Sequence, residues 1–446
     1  MKNLKSIERR RLAARLLLAG ISLLVSIVIA EVALNFCLDL PASRVEIGDA
    51  YIPNLNARLR NCEYDTEIVT NRAGLRHSRD VPVDHEGTFR IVVVGDSMTF
   101  GVGVNNDETY CHVAETLLRE KYHYQNVEIV NISRPAAGPC LYLEFVRTFA
   151  KRLKPDMLIV GFYVGNDMQV ANPFIPQEEK ILQQILDKDS SSQSVLAAGY
   201  QRLVLPRLMA RFMRKAQREV ATGGYQKIPG ENCPVTGFPN ALGTFLISTK
   251  LTPQQQKRYD DLKSKGWVDK ALRNEICPFF VIGATCSPHA RMDHMWLRKE
   301  TQAQQLEEWQ LCRRVLTETV KESRDVANKT LLLVIPDPYQ LDSRCLEVIQ
   351  DMGMETHPDM LKNRVRNDRV LEFSRESNVD VLDLYDPIRE RVQEGDDLFF
   401  PIDTHLTRDG HALAGNILAK YLSQVLSQEQ YLANSRLANR PVNMSR

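Results

Sequence analysis

The run Ile91-Val-Val-Val94 constrains this chain more than any other stretch. Four β-branched residues in succession suit a strand buried on both faces of a parallel sheet. The run ends on Gly95, and the polar pair Asp96-Ser97 follows directly. In an open α/β sheet, ligands sit beyond the carboxyl ends of the strands, which is where Ser97 would stand. Three roles fit a serine there: a nucleophile, a phosphate-loop residue or a helix N-cap. The phosphate-loop role is weakened by the Met98-Thr-Phe100 that follows, since the chain has no Gly-x-x-x-x-Gly-Lys run.

Strand-like and helix-like segments then alternate. After the strand Arg90 to Gly95, helical spacing covers Thr109 to Tyr122, a second strand runs from Val127 to Val130, and a second helix from Leu143 to Leu153. Pro155 to Tyr163 reads as the third strand. This rhythm predicts a parallel sheet with right-handed crossovers. It breaks over residues 169 to 298, which are polar and loop-rich. It resumes with a helix at Gln302 to Val326, a strand at Thr330 to Ile335, a helix at Asp359 to Ser377, a strand at Val379 to Leu384 and a closing helix ending near Leu426. Residues 39 to 89 carry turn signals and read as a connecting and edge segment.

Basic residues Lys2, Lys5, Arg9, Arg10, Arg11 and Arg15 precede an apolar segment that runs from Leu16 to Ala30 and, past Glu31, on to Leu38. With that extension it is long enough to span a bilayer, and the preceding charge places its N-terminus in the cytoplasm. A cleaved signal peptide ending near Val28-Ile29-Ala30 and a buried soluble helix are the competing readings. Elsewhere charge is balanced. A net charge of +1 argues against a general nucleic-acid binder. The apolar stripe Leu205, Leu208, Met209, Phe212 and Met213 has basic neighbours. It fits an insert helix packed on the main domain, or a helix lying on an anionic membrane. Of nine cysteines, Cys233, Cys277 and Cys286 are the candidates for pairing, with buried free thiols the alternative. No Cys/His spacing suits a metal, and no cofactor is expected.

A serine nucleophile needs a base, usually histidine. Among nine histidines, His405 stands out. It follows the apolar-aromatic turn Leu398-Phe-Phe-Pro401 and precedes a helix that Thr407 can cap. Asp403 lies two residues before it and could hold the imidazole in the tautomer that accepts the serine proton. Asp409 and His411 repeat the spacing, but in the first turn of a helix, where Asp is favourable for its own sake. An oxyanion needs donors. Ser97 N–H, Gly138 N–H after the second strand and the Asn166 amide after the third would all be delivered to one rim of the sheet.

Gly95-Asp96-Ser97, Gly138, Gly165-Asn166-Asp167 and Asp403-Thr-His405 together resemble the four blocks of the SGNH (GDSL-type) hydrolase superfamily. The more particular likeness is to membrane-anchored bacterial members, which carry an N-terminal hydrophobic helix and a region like Thr70-Asn71-Arg-Ala-Gly74-Leu-Arg76. The resemblance covers residues 90 to 168 and about 302 to 426. It implies a flavodoxin-like three-layer α/β/α domain with a five-stranded parallel sheet. It implies Ser97 as nucleophile, His405 as base and Asp403 as its partner, with Ser97, Gly138 and Asn166 forming the oxyanion hole. Three features depart from the pattern. Val164 stands before Gly165, so the glycine is shifted. The path from Asn131 to Gly138 is long. One residue separates Asp403 from His405 where many members have two, a spacing shared with polysaccharide O-acetyltransferase-like proteins.

The expected organisation is a cytoplasmic N-terminus (1–15), a signal anchor (16–38), a connecting segment (39–89), a first core part (90–168), an insert (169–298), a second core part (299–426) and a C-terminal tail (427–446). The expected function is extracytoplasmic serine ester hydrolysis, or acyl transfer, on O-acylated glycans or lipid esters. A polysaccharide O-acetyltransferase and a non-catalytic glycan-binding or assembly protein of the same fold are the alternatives.

Overall fold

The structure, a computed structural model, describes residues 50–170, 176–189, 251–273 and 275–438. The expected anchor at 16–38, the apolar stripe at 205–213 and Cys233 lie outside them. Among the described residues no helix is long and apolar enough to cross a membrane. The chain divides into two compact units, Met1–Ile47 with Leu186–Pro229 and Gly48–Ile185 with Gly230–Arg446. The second contains the sheet and is the one described below.

Two short strands, β1 (Asn56–Arg60) and β2 (Asp65–Val69), pair antiparallel as a separate hairpin. Five further strands follow: β3 (Phe89–Gly95), β4 (Val127–Ser133), β5 (Met157–Tyr163), β6 (Lys329–Ile335) and β7 (Asp380–Asp383). They form one parallel sheet in the order β4-β3-β5-β6-β7. The chain leaves β3 toward one edge and then returns across it to β5. The switch point therefore lies between the carboxyl ends of β3 and β5, where such sheets leave a crevice.

Side chains alternate across the sheet. Ile91, Val93, Ile129, Ile159 and Leu331 share a core with Tyr110, Ala114 and Leu118 of α2 (Tyr110–Glu120). The same core takes in α10 (Ser343–Asp351), α12 (Tyr385–Gln393) and α13 (Arg408–Ala438), through Ile349, Ile388 and Leu418. Val92, Val94, Leu158, Val160 and Leu332 are equally buried and point the other way. On that side lies α3 (Pro139–Phe145), which continues through a π turn at Val146–Ala150. It packs on α9 (Gln302–Val326), which in turn meets α11 (Val365–Ser377). The layers are thus helix, sheet, helix, as expected.

The described parts of the insert are helical: α4 (Pro176–Asp189), α5 (Pro253–Ser264), α6 (Trp267–Leu272), α7 (Pro278–Cys286) and α8 (Ala290–His294). Leu262, Trp267, Val268 and Val281 join the core on the α2 side, so this stretch is part of the domain rather than an appendage. Cys286, one of the three candidates for pairing, is a free thiol. Strand β4 is an edge, and three of its outward backbone groups are met by side chains. Glu115 accepts from Ile129 N–H, His77 Nε2 accepts from Asn131 N–H, and Arg119 donates to the Val127 carbonyl. Such cover blunts edge-to-edge association.

Gly95 sits opposite Gly161 in the β3–β5 register. Both make room for Thr99, in the first turn after Ser97. A Cβ on Gly95 would come within 2.1 Å of Thr99 Oγ1, and one on Gly161 within 2.4 Å of the same atom. Thr99 cannot easily yield, because it is fully buried and bonded to Tyr110 Oη at 2.9 Å. Gly95→Ala is therefore expected to destabilise the domain by about 1–3 kcal/mol through overpacking. A denaturant midpoint equal to that of the parent would refute the steric account.

Candidate active site

Ser97 opens α1 (Ser97–Phe100) directly after β3, and Asp96 caps the turn by accepting from Met98 N–H at 2.9 Å. The capping role belongs to Asp96, which leaves the serine hydroxyl for other work. Ser97 Oγ has one hydrogen-bond contact among the described residues, a long one of 3.5 Å to Asp96 Oδ2. Burial of Asp96 raises its carboxyl to about 6, against the opposing pull of a protonated His405.

Behind Ser97, Arg76 fixes the exit from α1. Its guanidinium donates to the carbonyls of Phe100, Gly101 and Val104 and to Asn106 Oδ1, and it lies 4.7 Å from the Phe100 ring centroid. Burial lowers its pKa to about 9. Arg76 thus ties the Thr70–Arg76 stretch to the loop that begins at Ser97.

Asp403 and His405 occupy a tight turn between α12 and α13. Phe400 N–H donates to the His405 carbonyl, Thr404 N–H donates to the Phe400 carbonyl, and Phe399 bridges Leu406. Thr404, between the acid and the imidazole, lies at φ 68°, an outlier for a β-branched residue. His405 Nδ1 is hydrogen-bonded to Asp403 Oδ1. Burial alone would lower the pKa of His405. The Asp403 charge and hydrogen bond, joined by the charge of Asp96, outweigh it and raise the value above that of ordinary imidazole. His405 Nε2 makes no hydrogen bond among the described residues. The Ser97 hydroxyl is not bonded to it. In unliganded sites such contacts are commonly loose and close with substrate.

The turn after β5 presents Asn166. Asp167 accepts from Tyr163 N–H at 2.7 Å and from the Tyr142 hydroxyl at 2.9 Å, which pins the turn. Burial, reinforced by the Asp96 charge, pushes the Asp167 carboxyl well above the usual range. The Asn166 side-chain oxygen is buried with no hydrogen-bond partner. Ser97 N–H is likewise unengaged among the described residues. Gly138 is different. Its N–H donates at 2.5 Å to Glu178 Oε1 of α4, and Glu178 is itself fully buried. Of the three donors named from sequence, Gly138 is the one already occupied.

His411 lies inside the molecule. Its ring stacks on Tyr110 with centroids 5.9 Å apart, and Nδ1 accepts from Tyr110 N–H at 3.2 Å. Burial depresses its pKa to about 3, so it is neutral. It joins α13 to α2.

Sequence reasoning missed Glu63 and Tyr64, which reach the Asp403 turn from the hairpin. A signal was present. Leu59, Thr66 and Ile68 are buried in alternation with exposed neighbours on either side of Asn61, the pattern of two half-buried strands and a turn.

No family model and no curated protein matches the chain. Among solved structures it is similar to a catalytic mutant of Axe2, an acetylxylan esterase from Geobacillus stearothermophilus, at 10% identity over 76% of this chain and 95% of that one, with a TM-score of 0.34. A member of the lipolytic G-D-S-L family from Veillonella parvula is similar at 10% identity over 74% and 96%, with a TM-score of 0.31. The α/β hydrolase LAE5 from the Lake Arreo metagenome is similar at 10% identity over 75% and 94%, with a TM-score of 0.32. Likenesses of this size carry no weight for the chemistry, which has to be argued from the residues of this chain.

Proposed function

We propose that the chain is a serine ester hydrolase working through an acyl-Ser97 intermediate. Ser97 Oγ attacks the ester carbonyl carbon while His405 Nε2 takes its proton. The tetrahedral oxyanion rests on Ser97 N–H and the Asn166 amide, each worth about 3 kcal/mol in the transition state. Gly138 N–H joins them once the Glu178 carboxylate is displaced. His405 returns the proton to the leaving alcohol, and water repeats the sequence on the acyl-enzyme. The observation that carries this reading is the Asp403–His405 pair, whose outer nitrogen is unbonded among the described residues, beside a Ser97 N–H that is likewise unengaged at the carboxyl end of β3.

The substrate class we assign is an O-acyl group on a glycan, with a lipid ester second. Placement outside the cytoplasm behind an N-terminal anchor belongs to the same proposal and rests on the charge and hydropathy of residues 2–38. Reporter fusions at the two ends test it: a C-terminal reporter active inside the cell refutes it. Transfer to a sugar hydroxyl is the alternative, because the single residue between Asp403 and His405 is a spacing shared with polysaccharide O-acetyltransferase-like proteins. Acyl transfer to an oligosaccharide exceeding hydrolysis would select that variant. The chemistry itself is tested with a fluorophosphonate probe on the folded protein. Label on the peptide containing Ser97 is expected, and its absence removes the catalytic reading in favour of a binding protein.

A further inference from the structure

The hairpin that sequence reasoning missed ends at the Asp403–His405 turn. Asn61 Oδ1 accepts from Glu63 N–H at 2.8 Å and from Tyr64 N–H at 2.9 Å, which sets the tip between β1 and β2. The tip is also held from outside, because Cys62 N–H donates to the Glu275 carbonyl at 3.0 Å. From this rigid base two side chains reach the turn. Glu63 accepts from Ile402 N–H at 2.8 Å through Oε1 and from Asp403 N–H at 2.7 Å through Oε2. The Tyr64 hydroxyl donates to Asp403 Oδ2 at 3.1 Å, the oxygen that His405 does not use. The Tyr64 ring lies 5.0 Å from that of Phe400. Gly103, from the loop after α1, leaves room for both rings.

We propose that Glu63 and Tyr64 are positioning residues of the active site. Glu63 holds the backbone of the turn, and Tyr64 holds the carboxylate that orients the base. This deepens the ester-hydrolase reading and rests on it for the role of His405. The chemistry follows from the donor pattern. Burial raises the Glu63 carboxyl, and the two N–H groups it accepts from oppose that and favour the ionised form, which places a second negative charge near His405. Glutamine at 63 would lose that charge and turn an amide N–H toward a backbone N–H. Tyr64 acts in the opposite sense. Its hydroxyl draws charge from Asp403, so phenylalanine at 64 leaves more of that charge for the imidazolium. The other groups facing His405 are Asp403 in its own turn, Asp96 from the nucleophile loop and His411 from α13, with Arg76 behind His411.

The experiment follows the His405 imidazole by NMR titration in the full chain as wild type, E63Q and Y64F, beside the pH dependence of kcat/KM. Glu63→Gln is expected to lower the His405 pKa by about half a pH unit and Tyr64→Phe to raise it by a similar amount. The acid limb of kcat/KM moves with each. In both variants kcat falls about 10- to 100-fold from misplacement of the base, with KM little changed. Shifts of opposite sign are not what general loosening gives. A His405 pKa unchanged in both variants, or shifted the same way in both, overturns the proposal. The NMR result is independent of turnover, so it reads the positioning role even where fluorophosphonate labelling of the wild type fails and the hydrolase reading falls. A variant that does not fold is replaced by Glu63→Asp, which keeps the charge and shortens the reach. It should hold the His405 pKa near the wild-type value, and a fall as large as that expected for Glu63→Gln overturns the proposal.

Discussion

Ser97→Ala is expected to lower kcat/KM for a short p-nitrophenyl ester by about 10⁴-fold or more. The structure separates this loss from any loss of fold. The cap on α1 belongs to Asp96, and the Ser97 hydroxyl makes a contact of 3.5 Å, too long to contribute much. Removing it should therefore change stability by no more than about 0.5 kcal/mol. Residual turnover in the variant would come from the donors, which alanine leaves in place. The measurement is a rate on purified protein beside a denaturant midpoint. Undiminished hydrolysis by a folded Ser97→Ala protein sinks the nucleophile assignment.

Asp403→Asn is expected to cost about 10⁴-fold in kcat with the fold retained. The reason lies in which nitrogen of His405 carries the proton. The Asp403 carboxylate accepts from Nδ1–H, leaving Nε2 as the acceptor for the serine proton. An asparagine amide turned toward His405 donates instead, so Nδ1 becomes the acceptor and the proton moves to Nε2. The hydroxyl of Tyr64 favours this outcome, because its O–H has Asp403 as its one acceptor among the described residues and stays bonded only if an oxygen remains at that position. That leaves the NH2 group facing the ring. A loss under tenfold would mean that Asp403 does not set the tautomer.

Much of this architecture was legible in the sequence where one physical signal dominated. The buried strands at Ile91–Val94 and Leu331–Ile335 are continuous apolar runs, and the helix Gln302–Val326 has the expected limits because its apolar stripe persists throughout. Short polar elements gave weaker signals and were missed. α10 and α12 present small stripes among charged residues, and β1 and β2 are five residues each with one exposed face. The site divided the same way. Asp403 and His405 are two residues apart, so spacing found them. Glu63 and Tyr64 carry no local motif, and their meaning lies in a turn more than three hundred residues away. Glu178 sits on Gly138 N–H from a helix with no chemical signature, and nothing in the spacing of either residue announced the contact.

The bond from Tyr64 to Asp403 joins positions 339 apart in the chain. Closing so long a loop has a large entropy cost, and non-local contacts of this kind form late. During synthesis the hairpin and the first three strands of the sheet emerge well before the turn that brings the base. A growing chain therefore carries Ser97 through most of translation without His405, the base proposed for it. Onset of the proposed esterase activity should then follow the docking of this turn, so that refolding followed by turnover lags behind refolding followed by helical signal.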